Sequence, residues 1–240
     1  MRIHWIGHVP FEGPGALATL ARRRGHTLSA TRVYAGEVLP RPARFDLLVI
    51  MGGPMGVAQL HDHPHLADEM ALIRAARSAG RGVLGICLGG QLIAAACGGT
   101  VTRNREPEIG WWPVTRTADA ARSPFGSALP ARVTTFHWHA DTFTPPPGAL
   151  TLARSAGCAR QAFALDARTL GVQFHPESTP GTVAALCEAF PGPHGSGPFV
   201  HDSPAMRAGL VHAPAGHAVL AGWLDHFAAV CAGSGRASLC

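Results

Sequence analysis

The chain has no lysine; all 20 of its Lys/Arg positions are arginine. That absence removes two chemistries. A Walker-type phosphate loop needs its lysine, and a pyridoxal-phosphate enzyme needs one for its Schiff base. No run approaches the ~18 apolar residues of a membrane span, so no membrane partner is expected. The opening MRIHWIGHVPFEGPG holds no long apolar segment and no small-residue cleavage site. A signal peptide is therefore not expected. The six cysteines (Cys87, Cys97, Cys158, Cys187, Cys231 and Cys240) include no C-x-x-C pair. They read as reduced thiols of a cytoplasmic protein, because a chain of this size does not need disulfides. The formal charge of +5 is spread along the chain, and only Arg22–Arg24 form a basic run. That run reads as a solvated helix face, so no nucleic acid is expected.

What is present fits one large α/β domain. The 240 residues are 47% hydrophobic, enough for a sizeable core. Strands are expected at RIHWI (2–6), TLSATRV (27–33), FDLLVIM (45–51) and GVLGI (82–86). Helices are expected at 14–26, 65–80 and from Gln91, with Gly25 and Gly80 as stop signals. In the helix over 65–80, Leu66, Met70, Ile73 and Arg77 step around one row. This alternation predicts a doubly wound, mostly parallel central sheet flanked by helices. The second half changes to short strands separated by turns, a small antiparallel addition that rejoins the sheet at GVQF (171–174). A helix follows over about 179–189, and residues 191–198 form a loop. An amphipathic C-terminal helix with Val219, Leu220, Trp223, Leu224, Phe227 and Val230 on one face completes the pattern, before a frayed SGRASLC end. The expected organisation is a catalytic domain over 1–190, with 191–240 adding a loop and a helix packed on that same domain.

In open α/β sheets, sites form at the carboxyl ends of parallel strands. Three such ends carry polar or glycine residues here: Gly52-Gly53, Cys87 in G-I-C-L-G, and H-P-E over 175–177. A strand entering a helix through a two-glycine turn can present one side chain in a tight bend. The ordinary reading of Cys87 is a small buried hydrophobe. A chain with 14 histidines also meets a His-Pro-Glu easily. The combination is harder to reach by chance. A histidine makes a thiol nucleophilic, and a carboxylate on its far nitrogen orients the ring.

Those stretches carry a family resemblance. GICLGGQLIA resembles the nucleophile motif of class I, triad-type glutamine amidotransferases, and GVQFHPE resembles their His–Glu motif. VIMGGPMGV is similar to the segment that supplies part of their oxyanion hole. FHWHADTF and EIGWWPV are similar to segments of the stand-alone, GMP-synthase-like branch. The likeness runs in order from about residue 12 to residue 180 and implies a flavodoxin-like fold. It implies that Cys87 attacks the γ-amide of glutamine, that His175 moves the protons and that Glu177 orients His175. Backbone N–H groups of Gly53 and Leu88 would bind the oxyanion. Gln91 and the backbone at Trp138 and His139 would touch substrate. A γ-glutamyl thioester would form and hydrolyse, with no metal or cofactor. Ala140 stands where the branch has glycine, and nothing after residue 190 resembles a synthetase domain. Any ammonia acceptor would therefore sit on another chain. The alternatives are a free-standing γ-glutamyl hydrolase or peptidase with the same triad, and a non-catalytic regulatory module.

Two further stretches invite a site reading. HDHPH (61–65) reads as an exposed loop opening a helix, since Pro64 works against a shared helical face for metal ligands. Trp111 and Trp112 read as packing residues.

Overall fold

The computed structural model describes residues 1–232. Cys240 and the SGRASLC end, expected to fray, lie outside the described residues. The first half runs β1 (Arg2–Gly7), α1 (Ala16–Arg23), β2 (Thr27–Arg32), β3 (Leu47–Ile50), α2 (His65–Ser78), β4 (Gly82–Ile86) and α3 (Leu88–Ala96). The second half adds β5 (Thr100–Arg116), β6 (Arg132–Thr144), β7 (Leu150–Arg154), β8 (Ala162–Asp166), β9 (Thr169–Val172), α4 (Pro180–Ala189), α5 (Ser203–Ala208) and α6 (Ala213–Ala232). All nine strands join one sheet in the order β2-β1-β3-β4-β9-β8-β7-β5-β6. From β2 to β9 the pairing is parallel. From β9 to β6 it is antiparallel.

The doubly wound arrangement follows from two-sided burial. Every residue of β3 and β4 is buried, as expected for strands covered on both faces. Leu47 and Val49 face one core layer with Leu17, Trp223 and Phe227. Leu48 and Ile50 face the other, with Ile73, Leu88 and Leu92. α6 supplies the first layer through Val219, Leu220, Trp223, Leu224 and Phe227, and the Trp223 indole donates to the Phe125 carbonyl at 3.0 Å. No helix among the described residues is long and apolar enough to cross a membrane.

Local chemistry moves several boundaries. α1 starts at Ala16, not residue 14, because Gly15 takes a non-helical backbone with φ 48°. α2 buries Leu66, Glu69, Leu72, Ile73 and Ala76, so its inward face lies beside the row through Met70 and Arg77. β5 begins at Thr100, across the polar VTRNREPE stretch that sequence patterning left unassigned. It pairs with the edge strand β6, and its register shifts between Arg103 and Glu108. α5 was not expected either; the Asp202 carboxylate caps it by accepting from the Ala205 N–H at 2.8 Å.

Candidate functional site

Cys87 sits at the junction of β4 and α3 with φ 53° and ψ −109°. It is the one non-glycine with positive φ among the described residues. Such a conformation costs on the order of 1–3 kcal/mol and persists where its surroundings over-determine it. Three glycines make the bend possible. A Cβ on Gly85 would strike Gly89, one on Gly89 would strike the Ile50 carbonyl, and one on Gly90 would lie 2.6 Å from the Val172 carbonyl. Without side chains there, α3 presses directly onto the sheet. The Cys87 N–H also donates to the Val172 carbonyl at 2.8 Å, locking the elbow to β9.

Because β4 and β9 run parallel with Ile86 opposite Val172, the residues after both strands emerge together. His175 follows β9, and its N–H donates to the Phe136 carbonyl of β6 at 2.8 Å. Its Nδ1 lies 2.8 Å from Glu177 Oε1. Nε2 of His175 and Oε2 of Glu177 are buried without hydrogen-bond partners in the protein. Burial opposes the His175 imidazolium, but Glu177 and Cys87 beside it outweigh that, and its pKa rises well above the ordinary value. Gly52 lies between the groups. A Cβ there would come 2.9 Å from His175 Cε1 and 3.6 Å from Cys87 Cβ, and would strike the Glu12 carboxylate.

The Cys87 thiol lies 3.7 Å from the Trp138 carbonyl. Gln173 donates to it from Nε2 at 3.6 Å and accepts from Gln91 Nε2 at 3.2 Å. A cleft of about 240 Å³ opens over the sulfur, lined by Gly53, Gln91, Trp138, the 139–141 segment, Arg103 and Phe190 among others. That size suits an amino-acid side chain better than a large cofactor. The N–H of Gly53 and the N–H of Leu88, first in α3, make no hydrogen bond to protein among the described residues. Both are therefore available to an anion. The structure thus brings Cys87, His175, Glu177, Gly53, Leu88, Gln91 and Trp138 to one end of the sheet. His139 contributes only backbone to the cleft. Its Nε2 turns away to Glu108 Oε2 at 3.0 Å, and its Nδ1 lies 2.9 Å from the Asp141 carbonyl.

Glu108 is a buried hub behind the cleft. It accepts from Ser155 at 2.6 Å and from His139 and Gln161. His137 lies 3.8 Å away; burial pushes its imidazole down to about 3. Ligand atoms of Glu108, His137 and His139 lie within 4.8 Å of one another, a spacing a small cation would accept. Three protein donors already serve the carboxylate, so the cluster reads as a hydrogen-bond network that shapes the 137–141 segment. Burial pushes the Glu108 carboxyl up, and His139, His137 and Ser155 more than reverse it, to below the usual range. Its stabilisation is thus present above the ordinary carboxylate pKa and is lost as pH falls. Glu108→Ala is expected to destabilise the fold by about 3–5 kcal/mol, since it strands three buried partners. Urea unfolding checks this, and a loss under ~1 kcal/mol would contradict it.

Sequence reasoning passed over Gln173, Glu12 and His8. Each had a signal. Gln173 is a polar residue inside an apolar stretch two positions before His175. His8 follows β1, a parallel strand end like the three that were weighed. Of the HDHPH histidines, His65 opens α2 and pairs with Glu69 at 3.0 Å, while His61 is exposed. Trp111 is buried and donates to the Met206 carbonyl at 2.8 Å.

Comparison with known proteins places this geometry. The sequence model of "Glutamine amidotransferase class-I" matches residues 16–189. A putative glutamine amidotransferase-like protein, YfeJ, of Salmonella typhimurium is 40% identical over 192 residues, covering 78% of this chain and 80% of that one. A glutamine-hydrolysing GMP synthase of Aeropyrum pernix is 39% identical over 147 residues; the match covers 59% of this chain but 25% of the synthase. The crystal structure of a glutamine amidotransferase from Thermotoga maritima superposes with a TM-score of 0.84 at 27% identity, covering 95% of this chain and 97% of that one.

Proposed function

The chain belongs to the class I glutamine amidotransferase family, and from that premise we propose that it hydrolyses the γ-amide of glutamine through Cys87, His175 and Glu177. One observation carries the reading: a strained cysteine elbow meets a buried His175–Glu177 pair, 2.8 Å apart, beneath a small cleft. In this mechanism the Cys87 sulfur attacks the amide carbon. The tetrahedral oxyanion takes hydrogen bonds from the Gly53 and Leu88 N–H groups, each donor worth roughly 2.7–4 kcal/mol in other hydrolases. His175 protonates the departing ammonia as the C–N bond breaks, leaving a γ-glutamyl thioester. It then takes a proton from water, which attacks the thioester and releases glutamate and the thiol. Gln91 and the backbone at Trp138 and His139 hold the substrate. The synthase relative has a large remainder without counterpart here, which supports an ammonia acceptor on a separate chain.

One observation favours a second reading, a γ-glutamyl hydrolase or peptidase. A depression of about 420 Å³ adjoins the cleft across Ile109, Trp138 and Phe190 and extends to Pro193 and His194. It offers room for a leaving amine larger than ammonia. Steady-state rates on glutamine and on a panel of γ-glutamyl amines and peptides separate the two. Glutamine is expected to be among the best substrates. A γ-glutamyl compound cleaved several orders of magnitude faster would replace the amidotransferase with the hydrolase.

A further inference from the structure

We propose that His8 is a positioning residue: paired with buried Glu69, it pins the Gly52–Gly53 peptide so that the Gly53 N–H faces the Cys87 cleft without help from a partner chain. The inference rests on the glutamine-hydrolysing reading of that cleft. His8 follows β1, and its side chain is fully buried. Its Nδ1 lies 2.8 Å from the Gly52 carbonyl. Its Nε2 lies 3.0 and 3.2 Å from the two oxygens of Glu69, whose Oε1 also receives His65 at 3.0 Å.

The partners dictate the protonation. A carbonyl oxygen only accepts, so Nδ1 must carry a hydrogen and donate it. The Glu69 carboxylate also only accepts, so Nε2 must donate too. With a hydrogen on both nitrogens, His8 is an imidazolium. Burial opposes that charge, but Glu69, the Gly52 carbonyl and Glu12 together raise the His8 pKa. Burial likewise pushes Glu69 up, and His65 and His8 bring it below the usual carboxylate range. The charged groups facing His8 are therefore Glu69, with His65 behind it on α2, and Glu12 on the loop after β1.

Peptide geometry carries the effect to the cleft. The Gly52 C=O and the Gly53 N–H are the two ends of one planar trans peptide and point in opposite directions; the chain has no cis bonds among the described residues. Holding the oxygen toward His8 therefore aims the hydrogen the other way, and Gly53 lines the cleft over Cys87. Two consecutive glycines would otherwise let this peptide rotate at little cost. The position is also filled: a Cβ on Gly53 would lie 2.9 Å from His8 Cβ and 3.1 Å from Leu88 Cδ2. A charged donor holding the carbonyl from one side and Leu88 packed on the other keep one orientation.

The test has two independent arms on the full chain. Nitrogen-15 NMR of histidine-labelled protein at neutral pH is expected to show both His8 ring nitrogens protonated. A bare nitrogen overturns the proposal, whatever the substrate proves to be. In the second arm, His8→Phe is expected to lower kcat on glutamine about 10- to 100-fold, the loss of one charge-assisted hydrogen bond, with KM within about threefold. His8→Asn combined with Glu69→Gln, which restores a neutral donor near Nδ1, is expected to recover most of the loss. Iodoacetamide alkylation of Cys87 forms no tetrahedral oxyanion and is expected to proceed at the wild-type rate in every variant. An unchanged kcat in His8→Phe, or alkylation lost along with it, overturns the positioning role. Wild-type protein inert toward glutamine and all γ-glutamyl compounds overturns the functional reading instead, and the NMR result still decides the charge on His8.

Discussion

Cys87→Ala is expected to lower glutamine hydrolysis by about 10,000-fold or more while the fold survives, because no other group can form the thioester. The other four described cysteines are not placed to substitute. Cys158 and Cys187 are buried away from the cleft, and Cys97 and Cys231 lie at other surfaces. Burial also raises the thiols of Cys158 and Cys231, which keeps them protonated and inert. The elbow adds a second, physical readout. Alanine keeps the strain of φ 53°, whereas glycine does not. Cys87→Gly is therefore expected to be as inactive as Cys87→Ala but more stable than it by on the order of 1 kcal/mol. Urea unfolding of the two inactive variants checks the difference, and glutamine-like affinity labels checked by mass spectrometry locate the nucleophile. Labelling at Cys97 or Cys158 with Cys87 untouched would sink the triad reading. A glycine variant no more stable than the alanine variant would show that the bend stores no strain.

Cys87 was legible in the sequence because its chemistry is local. An apolar strand, two flanking glycines and the start of a helix stand within eleven residues, and each is a backbone instruction. His175 and Glu177 were legible for a similar reason: they end a buried strand, where polar residues need a purpose. The reach of the sheet was legible too, since two-sided burial writes continuous apolar runs such as LLVI and GVLGI. What escaped was non-local. Glu69 sits on the inward face of α2, where pattern reading expects an apolar residue and so rotates the face toward Met70. Only the fold shows that His8, 61 positions earlier, neutralises it. Gln173 escaped because one polar residue inside an apolar run is easily absorbed into the strand. β5 escaped over VTRNREPE because its partner is the edge strand β6, so no hydrophobic alternation was required. The same edge position explains why the antiparallel strands, though four of nine, left a weak signature.

The graded behaviour of the other two triad residues is the second large effect. His175→Ala is expected to cost about 1,000- to 10,000-fold in kcat/KM, because it removes both the proton donor for ammonia and the base for water. Glu177→Gln is expected to cost about 10- to 100-fold, since an amide at 2.8 Å still orients the ring but no longer favours its charge. The pH profile separates orientation from charge. Glu177 raises the His175 pKa against burial. Removing its charge lowers that pKa, so the imidazolium is lost earlier as pH rises. The alkaline limb of kcat/KM is therefore expected to move to lower pH in Glu177→Gln. Glu12 complicates the site in an informative way. Its half-buried carboxyl, raised by burial, lies on the opposite side of Gly52 and also interacts with His175 and Glu177. Glu12→Gln is expected to shift the same limb in the same direction, but less, because it makes no hydrogen bond to the ring. Measuring the three profiles under one buffer series decides the order. Near-wild-type rates in both His175→Ala and Glu177→Gln would point to a different base, and an alkaline limb that follows Glu12 rather than Glu177 would name it.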